Sequence, residues 1–98
     1  MVAVTAEQER REATRWTVVI DLDEDDGAVR AVARLHDGNP DRIAAEGVAR
    51  LGPVERAAPA VGLEVATARA LRRLSEQLAE AAKRDYDAAT RPRTSSSV

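Results

Sequence analysis

The chain is expected to fold as an α+β domain: a three-stranded antiparallel β-meander followed by one long C-terminal helix packed on a single face of the sheet. Two observations predict it. Apolar and polar residues alternate with a period of two in three short stretches, Trp16 to Leu22, Ala28 to Leu35 and Ile43 to Leu51, as strands with one covered face require. From Leu63 to Tyr86 the period changes to three and four in an alanine-rich stretch, the pattern of an amphipathic helix. One sheet and one helix make a thin subunit, so apolar surface is expected to remain for another chain to cover.

Residues 1–14 form an N-terminal arm in which Thr5 and Gln8 are spaced as a capping box, so that 5–14 can form a short helix. The segment has no apolar stripe, and an isolated helix of this length is marginal in water, which leaves a frayed arm as the alternative. The folded domain is expected over 15–88. Its first strand sets Trp16, Val18, Ile20 and Leu22 on one face and Thr17, Val19 and Asp21 on the other. Asp23 to Gly27 supplies turn chemistry. An inner-face register of Leu22 with Val29, Ile20 with Ala31, Val18 with Ala33 and Trp16 with Leu35 brings apolar residues together. On the outer face it sets Asp21 beside Arg30 and Val19 beside Val32.

The loop from His36 to Asp41 is dense in turn residues. Pairing Leu35 with Ala45 and Ala31 with Ala49 on the inner face sets Arg34 beside Glu46 and Val32 beside Val48 outside, drawing Val19, Val32 and Val48 into one straight line. Gly52 and Pro53 stop the third strand, and Pro59 and Gly62 bound the loop that follows. The helical stripe of Leu63, Ala66, Ala70, Leu71, Leu74, Leu78, Ala81 and Ala82 faces the sheet. At 1.5 Å per residue this helix is about 36 Å long, against about 23 Å for a seven-residue strand, so it must overhang. Residues 89–98 have no means of burying themselves and are expected to be a disordered tail.

Composition narrows the function. With 98 residues the chain has room for one core. Much of its 44% hydrophobic content is alanine, with no Phe, one Trp and one Tyr. No Cys is present, so there is no disulfide, no thiolate metal site and no thiol nucleophile. That suits a reducing cytoplasm, and the absence of a signal peptide or membrane span points the same way. Fifteen basic against seventeen acidic residues weigh against a strong sequence-independent hold on nucleic acid.

Catalytic and ligand-binding patterns are missing. Asp21, Asp23 and Asp25 alternate like calcium ligands, but the positions that an EF-hand fills with Gly and a bidentate Glu hold Asp26 and Val32. His36 stands alone beside Asp37, and Ser75 lies far from it on the helix, so no nucleophile and base pair forms. No glycine-rich phosphate loop occurs. The expectation is a non-enzyme with no cofactor, no metal and no small-molecule substrate. Arg30, Arg34, Arg50, Arg69 and Arg73 are the candidates for RNA contact, although Asp21 and Glu46 face the first two and Glu76, Gln77 and Glu80 lie within reach of Arg72 and Arg73. Trp16 is expected to plug the end of the core, which removes it as a base-stacking platform. Val19, Val32, Val48 and Leu78 are the candidates for a dimer interface.

Several stretches together resemble a family of small actinobacterial proteins of unknown function, described as having a double-stranded-RNA-binding-domain-like fold. They are Trp16-Thr17-Val18 with Asp23-Glu24, Arg30, Ala33-Arg34-Leu35, Gly47-Val48-Ala49-Arg50-Leu51 with Pro53 and Arg56, then Pro59, Gly62, Glu64, Ala68-Arg69-Ala70-Leu71 and Leu74. The resemblance implies a homodimer, an association with hypoxic or dormancy stress in the mycobacterial members, and a structural likeness to ribosome hibernation promoting factor. Glu64 stands where double-stranded-RNA-binding domains carry a lysine-rich phosphate clamp, and its charge suits the positive end of its own helix. Two functions follow as expectations. The first is a homodimeric stress protein acting on the ribosome and its RNA; the second is a dimeric protein-interaction module without nucleic-acid binding.

Overall fold

The computed structural model describes residues 14–39 and 43–91. The short helix expected within the N-terminal arm and most of the expected tail, 92–98, lie outside them. Three antiparallel strands, β1 (Thr17–Asp25), β2 (Ala28–His36) and β3 (Ala44–Arg50), form a sheet of order β1-β2-β3. A one-turn helix α1 (Pro53–Ala57) and the long α2 (Pro59–Thr90) follow. This is the expected α+β meander with a C-terminal helix.

The β1–β2 turn is tighter than expected. Asp26 and Gly27 take φ values of 55° and 77°, the two left-handed residues of a type I′ turn, whose twist matches that of the strands it joins. Strand pairing therefore runs to Asp25 opposite Ala28, and the register moves by two residues. Leu22 faces Ala31, Ile20 faces Ala33 and Val18 faces Leu35. The β2–β3 register moves by two as well, with Val29 opposite Ala49, Ala31 opposite Gly47 and Ala33 opposite Ala45. A shift of two keeps every side chain on its expected face while changing every partner.

Pro53 and Pro59 each stand at the start of a helix, where a missing N–H costs nothing and the fixed φ suits the first turn. The Glu55 carboxylate accepts from the Gly52 N–H at 2.9 Å, satisfying a donor at the α1 start. Pro59 thus opens α2 four residues before the expected Leu63, and Gly62 lies buried inside the helix against Leu51 and Val29. At 32 residues α2 is about 48 Å long by its rise per residue, so its overhang exceeds the one expected.

The core consists of Val29, Ala31, Ala33 and Leu35 from β2, Ala45 and Ala49 from β3, and Ala66, Ala70 and Leu74 from α2. Six of these nine are alanine, so helix and sheet approach until their backbones nearly touch. Gly47 marks the contact: a Cβ there would overlap the Ala66 carbonyl oxygen and the Ala70 nitrogen. A helix about 10 Å wide spans two strands spaced about 4.8 Å apart, and α2 lies over β2 and β3. β1 supplies no buried residue. Trp16, expected in the core, is 55% exposed because α2 does not extend over it.

Candidate functional site

The two edges of the sheet are finished differently. The Leu35 N–H donates to the Ile43 carbonyl and the Leu51 N–H to the Gly27 carbonyl, which fixes the odd-numbered residues of β3 toward β2 and the even-numbered ones toward the open edge. On that edge Arg69 donates to the Val48 carbonyl at 2.7 Å, and Arg73, one helical turn on, to the Glu46 carbonyl at 3.2 Å. Ala70 lying against Gly47 is what brings the helix near enough for both. The expected pairing of Arg73 with carboxylates along its own helix gives way to these backbone contacts. Arg69, Arg72 and Arg73 line an open groove of about 410 Å³ with Gly47, Val48 and Glu76. Arg50 is exposed at the end of β3.

On the outer face the two-residue shift exchanges the expected ion pairs. Arg34 reaches Asp21 at 2.8 Å and Arg30 reaches Glu46 at 3.3 Å, both in the open. Each pair is diagonal, since Val19 lies directly opposite Arg34 and Val48 directly opposite Arg30. Val19, Val32 and Val48 consequently form a diagonal rather than the straight line expected, crossed by the two ion pairs. Val19 and Val48 are about two-fifths exposed, and Val32 is half-buried between Asp21 and Glu46.

Among the described residues nothing is packed beneath most of the inner face of β1. Val18 is 40% and Leu22 44% exposed, beside the half-covered Ile20. The neighbouring flank of α2 leaves Leu63 and Leu71 open around Thr67 and Ala68. Leu78, an interface candidate, packs partly against the core.

Charge divides along the same line. From Thr17 to Gly27 the chain carries Asp21, Asp23, Glu24, Asp25 and Asp26 and no base, whereas residues 44–74 carry Arg50, Arg56, Arg69, Arg72 and Arg73 against Glu46, Glu55 and Glu64. The chain total of −2 hides this polarity. His36 is exposed at the end of β2, and the Ser75 hydroxyl donates back to the Arg72 carbonyl at 2.8 Å. Among the described residues no group of three or more His, Cys, Asp or Glu side chains is placed to hold a metal ion, and no helix is long and apolar enough to cross a membrane.

The model of the Rv2632c-like family matches residues 14–95. Two uncharacterized mycobacterial proteins, Mb1767 of Mycobacterium bovis and MT1780 of Mycobacterium tuberculosis, are each 39% identical over 75 residues, covering 76% of this chain and 79% of theirs. Among solved structures, the crystal structure of Rv2632c superposes with a TM-score of 0.73 at 31% identity, covering 82% of this chain and 94% of that one.

Proposed function

This chain belongs to the Rv2632c-like family, and from that premise we propose a non-enzymatic, cytoplasmic homodimer that associates with the ribosome under stress, in the manner of a hibernation factor. The observation that carries the RNA-facing part is the gathering of arginines along the β3–α2 flank, away from the acidic hairpin. Arg69 and Arg73 each spend one donor on a β3 carbonyl, and a guanidinium has five, so both keep donors for phosphate. Arg50 and Arg72 complete the surface. Arg30 and Arg34 contribute less, because each already answers a carboxylate. The meander-then-helix order is also that of a double-stranded-RNA-binding domain, a likeness of fold that supports the reading only by analogy.

Sedimentation with ribosomes at low and high ionic strength tests it. The protein is expected to co-migrate at low salt and to be released as salt rises, because each phosphate contact frees counterions. Arg50→Glu with Arg72→Glu should abolish the co-migration without unfolding the chain. Absence from the ribosomal fraction in both conditions removes the proposal. A second reading, a dimeric protein-interaction module without RNA, draws on the ion-paired outer face, where Val19, Val32 and Val48 offer an apolar diagonal to a protein partner.

A further inference from the structure

We propose that β1 is the seam of the dimer: two copies pair antiparallel over residues 15–23 across a two-fold axis at Val19, forming one six-stranded sheet with both long helices on the same face. The proposal rests on the homodimer reading above and adds the surface, the register and the orientation.

An open edge with its full set of backbone donors and acceptors is a template for another strand. At β3 the helix arginines occupy the Glu46 and Val48 carbonyls. At β1 no described residue plays this role, and its nine residues carry no Pro, Lys or Arg.

Hydrogen-bond phase then dictates how a second strand can fit. A two-residue type I′ turn makes Asp25 and Ala28 a hydrogen-bonded pair, and the alternation of an antiparallel ladder makes Asp23, Asp21, Val19 and Thr17 the next ones bonded to β2. Val18, Ile20, Leu22 and Glu24 are left with N–H and C=O directed away from the sheet. In an antiparallel hydrogen-bonded pair both residues must come from that set, so even-numbered residues face even-numbered residues. These are the same residues whose side chains occupy the uncovered inner face. Inner face therefore continues into inner face, the two-fold axis stands perpendicular to the sheet, and the helices share a side.

Charge selects among the registers this allows. Centring on Val19 sets Val18 opposite Ile20, Trp16 opposite Leu22, Thr17 opposite Asp21 and Arg15 opposite Asp23, each twice by symmetry. All four inner apolar residues find apolar partners, and an arginine meets an aspartate at both ends. Centring on Asp21 sets Asp21 against its own copy, a like-charge pair that is destabilising. Centring on Ile20 sets Trp16 against Glu24 and Val19 against Asp21, and centring on Val18 leaves Leu22 opposite Thr14. The acidic hairpins end up on opposite sides of the axis, and the two arginine flanks become the outer ends of the dimer.

The full chain contains no cysteine, so single-cysteine variants read the register directly. In an antiparallel pair the non-hydrogen-bonded positions bring Cα atoms to about 4.5 Å, within the range a disulfide spans. Val19→Cys is therefore expected to convert to disulfide-linked dimer on mild oxidation, while Val48→Cys on the β3 outer face remains reduced. Leu22→Lys, at an exposed position, should raise the dimer dissociation constant by about tenfold or more, as losing two symmetric apolar contacts requires, with the helical circular dichroism unchanged; Val48→Lys should leave it unaltered. A wild-type dimer by light scattering whose Val19→Cys form links no faster than Val48→Cys, or whose Leu22→Lys form associates as before, overturns the seam and leaves the homodimer standing. A wild-type monomer at micromolar concentration overturns both.

Discussion

β1 and β3 are edges of the same three-stranded sheet, similar in length and both alternating in pattern, yet one is built into the subunit and the other merely attached to it. The difference lies in side-chain size. On its inner face β3 carries Ala45, Gly47 and Ala49, small enough for a helix backbone to settle directly upon it and for Arg69 and Arg73 to reach around its rim. β1 carries Val18, Ile20 and Leu22 there, which would hold a helix further off. A single helix choosing between them takes the flat side, where close contact compensates in dispersion for the few large side chains available. The bulky strand is left for something else to cover.

The largest effect should come from breaking the flat side. Gly47→Ala forces a methyl into the backbone of α2 at Ala66 and Ala70, and overpacking against main chain cannot be relieved by rotating a side chain. A loss of about 3 kcal/mol in unfolding free energy is expected, read from the shift of a urea midpoint. Leu22→Ala, measured at a dilution where association contributes nothing, should cost under about 1 kcal/mol, because the 44% exposed side chain is only partly withdrawn from water. If the two variants lose similar amounts, β1 is as much part of the subunit as β3.

Removing the arginine rim comes next. The double change Arg69→Ala with Arg73→Ala takes away two exposed charge-assisted hydrogen bonds, each worth about 1 kcal/mol, and reopens the Glu46 and Val48 carbonyls to another strand. The clearer consequence should be association: light scattering is expected to show species larger than the wild type that grow with concentration. Unchanged particle size would mean that the β3 edge is guarded by something other than these side chains.

How far such features can be read from sequence depends on whether they live in the pattern of side chains or in the backbone. Strand faces were legible, because alternation survives a two-residue slip; partners were not, because Asp23 to Gly27 reads as one broad turn until Asp26-Gly27 is recognised as a complete hairpin by itself. The start of α2 was hidden by Pro59, a residue that breaks helices within and opens them at the first position. Arg69 and Arg73 stood out as candidate contacts, but their acceptors are main-chain carbonyls, which have no letter in a sequence. The exposure of Trp16 could have been foreseen from widths alone, since one helix covers about two strands and this sheet has three.

The two outer-face ion pairs give the smallest effect and the finest comparison, because one ties β2 to β1 and the other ties β2 to β3. Arg34–Asp21 at 2.8 Å and Arg30–Glu46 at 3.3 Å are both roughly half exposed or more, so each should couple by about 0.2–1 kcal/mol in a double-mutant cycle. The shorter pair is expected to be the stronger, using Arg34→Gln with Asp21→Asn against Arg30→Gln with Glu46→Gln, and both should weaken as added salt shortens the screening length. On the β3 side the helix already holds the strand in place, so losing Arg30–Glu46 has little left to loosen. On the β1 side that ion pair joins the hydrogen-bond ladder and the half-covered Ile20 as the means of attachment. A cycle in which Arg30–Glu46 proves the stronger would show that strand placement here follows local side-chain geometry rather than the cover that α2 provides.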